Sequence, residues 1–357
     1  MPPVNHVLQQ ALSGAKWAFT TRRVERADVQ GLRAKLSGAV SGDLVLGEIT
    51  RLGQHKKIQL ASGRASEAYL GDLVVLACGD RYAPDQFEGT AELGAESADL
   101  IAGGGLLGTM QHAHDHMSKP TRLRPLGLLT DAEGEVINIA RYALPHGAMP
   151  EDMAVLLVVG ASMNAGKTTA AAGLARGLSG AGWRVAGIKA TGTGAFGDFN
   201  AFRDAGVPIV ADFTDAGMAS TYKQPLERIE QGFDDLLAHA HVQGAEVAVV
   251  ELADGLLQEE TAQLLRSPRL RRALAGVLFA TPDAIGAVGG VALLRDMGLE
   301  PFAVSGPISC SPLAAAEAEA ATQVPVVQRA ELCDPSLAAQ LTSDLLPLAR
   351  SWQRKVA

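Results

Sequence analysis

Hydrophobic positions change their period twice along the chain. Val7, Leu8, Ala11 and Leu12 recur at helical spacing and Val29 to Leu36 repeats it, which predicts a helical lead-in over residues 1–37. From 38 to 149 the runs shorten. Asp43-Leu-Val-Leu-Gly-Glu-Ile-Thr, Lys57-Ile-Gln-Leu-Ala and Asp72-Leu-Val-Val-Leu-Ala are apolar or alternating, and Gly-Asp-Leu-Val stands at 42–45 and again at 71–74. Short strands punctuated by Gly-Asp turns predict a β-rich domain, barrel-like or a small sandwich. Pro145-His-Gly-Ala-Met-Pro150 reads as the linker.

From 150 to 357 the texture is different. Val155-Leu-Leu-Val-Val is a continuous apolar run, followed by a glycine loop and an alanine-rich helical stretch over 167–181. Apolar runs at 184–189, 247–251, 277–280, 302–305 and 324–327 then alternate with helical stretches at 226–241, 284–297 and 312–322. Alternating strands and helices predict an α/β domain with a parallel sheet covered on both faces.

Composition narrows the function classes. A chain of 357 residues, 47% hydrophobic and 20% charged, is globular and long enough for two domains. Its net charge of −8 gives it no general pull toward nucleic acid or an anionic membrane. Cys78, Cys310 and Cys333 are scattered, which excludes a disulfide framework or a cysteine-rich zinc module. No apolar h-region opens the chain and no apolar run is long enough to span a bilayer. The expectation is a soluble cytoplasmic homo-oligomer acting on a small molecule, with no nucleic-acid or membrane partner.

The strongest chemical signal is Ala161-Ser-Met-Asn-Ala-Gly-Lys-Thr168 between the buried run and the helix. It fits the phosphate-loop pattern of a P-loop NTPase domain, with alanine in the first glycine position. Such a loop aims backbone N–H groups at phosphate oxygens where a helix begins. Ser162, Asn164, Ala165, Gly166, Lys167, Thr168 and Thr169 would form the cradle, with Lys167 on the outer phosphates and Thr168 on magnesium.

Other charges fall at strand ends, where open α/β sheets bind ligands. Lys189 closes one run and opens Lys-Ala-Thr-Gly-Thr-Gly; it would steady charge on a transferring phosphoryl group. Glu251 and Asp254 follow the next run, and either would complete the magnesium shell with Thr168. Asp198 is read either as a metal ligand or as a helix cap. Asp212 and Asp215 stand at a further strand end and are read either as substrate ligands or as acceptors of ordinary turn N–H groups. The expected cofactors are ATP and Mg2+. No Asn-Lys-x-Asp guanine-reading motif is present and Thr281-Pro-Asp283 occupies that strand end, so ATP is favoured mildly over GTP.

Gly160-Ala-Ser-Met-Asn-Ala-Gly-Lys-Thr-Thr, followed by Gly182-Trp-Arg-Val-Ala-Gly-Ile-Lys189, resembles the start of dethiobiotin synthetase and of the P-loop protein of molybdopterin-guanine dinucleotide assembly. Ala190-Thr-Gly-Thr-Gly, Val210-Ala-Asp-Phe-Thr-Asp-Ala-Gly and Val250-Glu-Leu-Ala-Asp-Gly give a closer similarity. They resemble a bacterial P-loop family that includes a D-glutamate N-acyltransferase. The resemblance covers residues 153–330. It implies that Lys189 and Glu251 serve phosphates and magnesium, as the matching residues of the synthetase do. The synthetase's substrate pocket does not carry over, because Leu-Ala-Asp-Gly follows Glu251 here.

Gln111-His-Ala-His-Asp-His116 is open to three readings: a metal site through His112, His114 and His116, a substrate or interface patch, or plain surface. Arg81, Arg122 and Arg124 are read as anion ligands or as ion-pair partners. The function expected is ATP- and magnesium-dependent activation of a small carboxylate or amino-acid-like metabolite, of ligase or kinase type. Two alternatives stand beside it: an acyltransferase holding coenzyme A phosphates in the loop, and an NTP-driven switch or chaperone for cofactor assembly.

Overall fold

The computed structural model describes residues 6–346. The chain forms two compact units. The first takes residues through Leu144 together with 192–196 and 213–223; the second takes the remainder from Pro145. Two short segments from the second half of the sequence thus belong to the first unit.

The first unit is built on an eight-stranded sheet. Its members are β1 (Lys16–Trp17), β2 (Gly31–Arg33), β3 (Leu44–Arg51), β6 (Leu73–Cys78), β7 (Phe87–Thr90), β8 (Ala98–Ala102), β9 (Leu106–Ala113) and β10 (Thr121–Thr130). The hairpin β4 (Lys57–Gln59) and β5 (Ala65–Glu67) stands apart. The path β6-β3-β10-β8-β9 is closed by a parallel β9–β6 pairing, so five strands make a ring. Successive residues point to opposite faces, and both faces are buried. Leu44, Leu46, Val75 and Ala77 pack with Leu8 and Leu12 of α1 (His6–Gly14), while Val45, Val74 and Leu76 pack into a second cluster. That explains why these strands read as apolar runs instead of clean alternation.

The helical lead-in extends only over α1. Val29 to Leu36 contains β2 instead of a second helix, paired antiparallel with β10 through Leu32 and Leu129. Gly31 lies so close to Thr130 that a Cβ there would fall 2.4 Å from its hydroxyl. An available sheet edge and a glycine outweigh the local helical spacing. Residues 1–5 of the lead-in lie outside the described residues.

The second unit has six parallel strands: β11 (Ala154–Gly160), β12 (Val185–Lys189), β13 (Ile209–Asp212), β14 (Val247–Glu251), β15 (Leu274–Ala280) and β16 (Pro301–Ser305). Their order is β13-β12-β14-β11-β15-β16. The helices that cover them include α2 (Lys167–Gly180), α3 (Phe196–Asp204), α4 (Leu226–Val242), α5 (Glu259–Arg266), α6 (Pro268–Ala273), α7 (Ala284–Asp296), α8 (Pro312–Thr322), α9 (Arg329–Cys333) and α10 (Pro335–Leu341). Leu174 and Leu178 of α2 pack in one core with Leu156, Val158 and Leu332. Gly177 permits this, since a Cβ there would meet the Leu332 carbonyl at 2.2 Å. The run Val324-Pro-Val-Val contributes a single parallel bridge, Val326 to Val304, and no strand. Pro325 accepts from Val304 but has no N–H to extend a ladder.

Candidate functional site

The sheet order places β11 between β14 and β15, and the 161–166 loop connects β11 to α2. Two glycines shape that connection. A Cβ on Gly160 would lie 2.6 Å from Lys167 Cγ, so the lysine stem folds back over the strand end. Gly166 precedes the helix at φ 93° in the left-handed region, and a Cβ there would strike Gly306 at 2.9 Å. A parallel sheet whose inner strand runs through such a loop into a helix N-terminus is a P-loop NTPase fold.

Register then fixes the neighbours. Glu251 is paired with Val158 of β11 and with Lys189 of β12, which sets the carboxylate beside the loop and the lysine beside the carboxylate. The Thr168 hydroxyl lies 2.8 Å from Asp198 Oδ1 and 3.0 Å from Glu251 Oε1. Lys189 pairs with the other Asp198 oxygen and stands 3.9 Å from Glu251 Oε1. Asp198 is in the first turn of α3, yet both its oxygens go to these side chains. Its carboxylate thus faces Thr168 and Lys189. Glu251 is 1% exposed, and its Oε2 makes no hydrogen bond.

Lys167 donates to the Ser162 carbonyl at 2.7 Å and to the Asp254 carbonyl. Burial pulls its ammonium below the usual lysine range; Glu251 and Asp254 oppose that pull and Lys189 reinforces it. Met163, Asn164, Gly166, Lys167, Thr168, Thr169, Lys189, Asp198, Glu251 and Asp254 line one cleft of about 330 Å³. Ser162, whose hydroxyl donates to the Met163 carbonyl at 3.0 Å, and the buried Ala165 are loop residues outside that lining.

Sequence reasoning did not find a second cleft, about 360 Å³, on the other flank of the loop. Gly166, Thr169, Ser305, Gly306, Pro307, Cys310 and Arg329 are among its walls. The Ser-Gly-Pro turn after β16 was the available signal.

Other candidates have structural partners. Asp212 is buried at the end of β13, level with Lys189. Asp215 pairs with Arg22 at 2.5 Å within the first unit. Asp283 caps α7, accepting from Gly286 N at 2.7 Å. Arg122 pairs with Asp99, Arg124 with Glu48, and Arg81 donates to the Ile101 carbonyl and Gln86. Among the described residues, no group of three or more His, Cys, Asp and Glu is arranged to hold a metal. The metal reading of His112, His114 and His116 therefore has no geometric support, and a cation at Thr168 would need phosphate and water oxygens as well.

No protein-family model matches the chain, and no curated protein matches it. Among solved structures, it is similar to the signal recognition particle 54 kDa protein of Aeropyrum pernix K1 in complex with GDP. That likeness has 20% identity, 58% of this chain covered and a TM-score of 0.36. The chain spans half the length of that protein (50%). The receptor FtsY of Elizabethkingia anophelis in complex with GDP follows at 17% identity, 55% of this chain, 67% of that one and TM-score 0.36. FtsY of Mycoplasma mycoides follows at 12% identity, 56% and 70%, TM-score 0.35. Likeness at this level assigns no function to the chain. The comparisons give no sequence-level support for the dethiobiotin synthetase or D-glutamate N-acyltransferase resemblance.

Proposed function

We propose that the second unit binds a nucleoside triphosphate with Mg2+ and uses it to activate a small carboxylate or amino-acid-like metabolite. The supporting observation is the oxygen cluster at the loop. One hydroxyl, Thr168 Oγ1, stands between two carboxylates, and the buried Glu251 Oε2 lacks a partner. A buried acceptor left over in this way is costly unless a cation or donor meets it. Hard oxygen ligands beside a phosphate loop fit Mg2+, which takes one or two carboxylates and phosphate oxygens. Thr168, Asp198 and Glu251 would hold it, and when bound it would neutralise charge on the phosphates.

The chain's own groups supply the rest. Lys167, anchored over the loop, would contact the outer phosphates. Lys189 sits within ion-pair range of both carboxylates and would offset charge that grows on a transferring phosphoryl group. The second cleft adjoins Gly166 and Thr169 and has room for a nucleobase. The sequence has no Asn-Lys-x-Asp guanine-reading motif, which supports ATP over GTP.

Calorimetric titration with ATP, GTP and acetyl-CoA, each with and without Mg2+, tests the reading. ATP binding that strengthens with Mg2+ is the expected result. Tight acetyl-CoA binding without Mg2+ favours acyl transfer instead, and nucleotide hydrolysis that no carboxylate stimulates favours a switch.

A further inference from the structure

A second cleft with organised chemistry lies in the first unit, beside β7 and β9. It measures about 300 Å³, and Tyr82, Pro84, Glu88, His112, His114 and Tyr222 are among its walls. Glu88 Oε2 lies 2.6 Å from His112 Nδ1, and Tyr222 donates its phenol to Glu88 Oε1 at 3.1 Å. The hydrogen bond from His112 holds Glu88 below the usual carboxylate range, with smaller help from Tyr222 and Lys223. An ionised carboxylate only accepts, so Nδ1 carries a hydrogen toward Glu88, and in the tautomer that holds its one hydrogen there Nε2 offers a lone pair. The His112 side chain is 82% exposed, which leaves the ring accessible. Tyr222 gives its hydrogen to Glu88, so toward any further group its oxygen acts as an acceptor.

The wall is aromatic. The Tyr82 and Tyr222 rings stand 5.6 Å apart, tilted by 48°. The ammonium of Lys223 lies 5.2 Å over the Tyr222 ring, so one face of this ring already serves a cation. His114, also on the wall, accepts at Nδ1 from the His116 N–H at 3.4 Å. The fixed polar atoms on the Glu88 side are thus acceptors carrying a negative charge, set against aromatic faces.

We propose that this cleft binds the ammonium group of a small primary amine. Glu88 supplies the charge, His112 Nε2 and Tyr222 Oη accept its N–H groups, and the Tyr82 ring covers its apolar part. The site lies within the first unit and stands independently of the phosphate-loop reading.

Side-chain nitrogen NMR of the full chain labelled with 15N-histidine tests the proposal, with the His112 signal assigned from H112Q. The probes are benzylamine, benzyl alcohol and benzoate, matched in size and differing in charge. Benzylamine is expected to move the His112 signal saturably, benzyl alcohol weakly and benzoate not at all. Glu88→Gln keeps the shape and removes the charge, and should weaken benzylamine by about tenfold. Tyr222→Phe keeps the ring, loses one acceptor and should weaken it less. A His112 response to benzoate equal to that of benzylamine, no saturable response to benzylamine, or unchanged affinity in Glu88→Gln each overturns the proposal. Should both variants fail to fold, the ranking of the three probes on the wild-type chain still decides.

Discussion

The hydroxyl of Thr168 lies 3.0 Å from Glu251 Oε1, although the two residues are 83 positions apart in the chain. The same hydroxyl also lies 2.8 Å from Asp198. A hydroxyl has one hydrogen and can satisfy only one of two carboxylates at a time. The cluster therefore holds more acceptors than donors, with Lys189 as its compensating cation.

That surplus makes the carboxylates sensitive reporters of metal. Glu251→Gln and Asp198→Asn should each keep nucleotide binding in the absence of Mg2+ and raise the Mg2+ concentration needed for activity by about tenfold or more. A Mg2+ titration of turnover checks this. Wild-type dependence in Glu251→Gln would exclude it from the metal shell. Activity that needs no Mg2+ at all would move the coenzyme A reading to first place.

Lys167 is 6% exposed, so its removal touches packing as well as charge. Lys167→Ala should lower nucleotide affinity by about 100-fold, the loss of a charge-assisted contact of ~3 kcal/mol. It should also lower the melting temperature, because the Ser162 and Asp254 carbonyls lose their donor. Lys167→Met keeps the stem over Gly160 and should recover only the packing part of the stability, not the part owed to the lost donor, and none of the affinity. Calorimetry with thermal melts separates the two effects, and unchanged affinity in both variants would leave the loop without a phosphate role.

The site was legible where the chemistry is local. The loop from Ala161 to Thr168 announces itself in eight consecutive residues, and a lysine or glutamate closing an apolar run marks a strand end. The pairing of Lys189 with Asp198 was not readable, because it depends on how the chain returns from β12 into α3. Nor was the membership of 192–196 and 213–223 in the first unit. Those segments carry Phe196, which stacks edge-on with Phe19 at 6.3 Å, and Asp215, which meets Arg22. Contacts of this kind leave no periodic trace in either partner. The Val29 to Leu36 error has the same root: the edge of β10 decided the structure there, and local spacing did not.

Lys189 tests the timing of charge stabilisation. Lys189→Met should reduce kcat by about 100-fold while changing nucleotide Kd much less, the pattern of an interaction made mainly in the transition state. Single-turnover kinetics beside equilibrium binding give both numbers. Equal losses would make Lys189 a ground-state phosphate ligand. A gain in nucleotide-free Mg2+ binding is expected in the same variant, since Asp198 and Glu251 lose their cation.

The first unit carries a pH sensitivity of its own at His55. Its Nε2 lies 3.2 Å from the Ile101 carbonyl, and its ring meets Phe87 edge-on at 5.8 Å. Burial, helped by the Arg81 charge, lowers its pKa from 6.5 to about 4 in the folded chain. The unfolded chain therefore takes up a proton that the folded chain refuses. The stability this neutral imidazole gives is complete above pH 6.5, declines as pH falls toward about 4, and is gone below it. The shift corresponds to roughly 3 kcal/mol across that window. Paired carboxylates also weaken on acidification, so the wild-type slope alone identifies nothing. His55→Gln keeps a donor for the Ile101 carbonyl and cannot titrate. Urea unfolding at neutral pH and near pH 4.5 should show a smaller loss in His55→Gln than in the wild type. Parallel losses in the two chains would mean that His55 accepts its proton without cost and that its burial does not control the acid side of the stability curve.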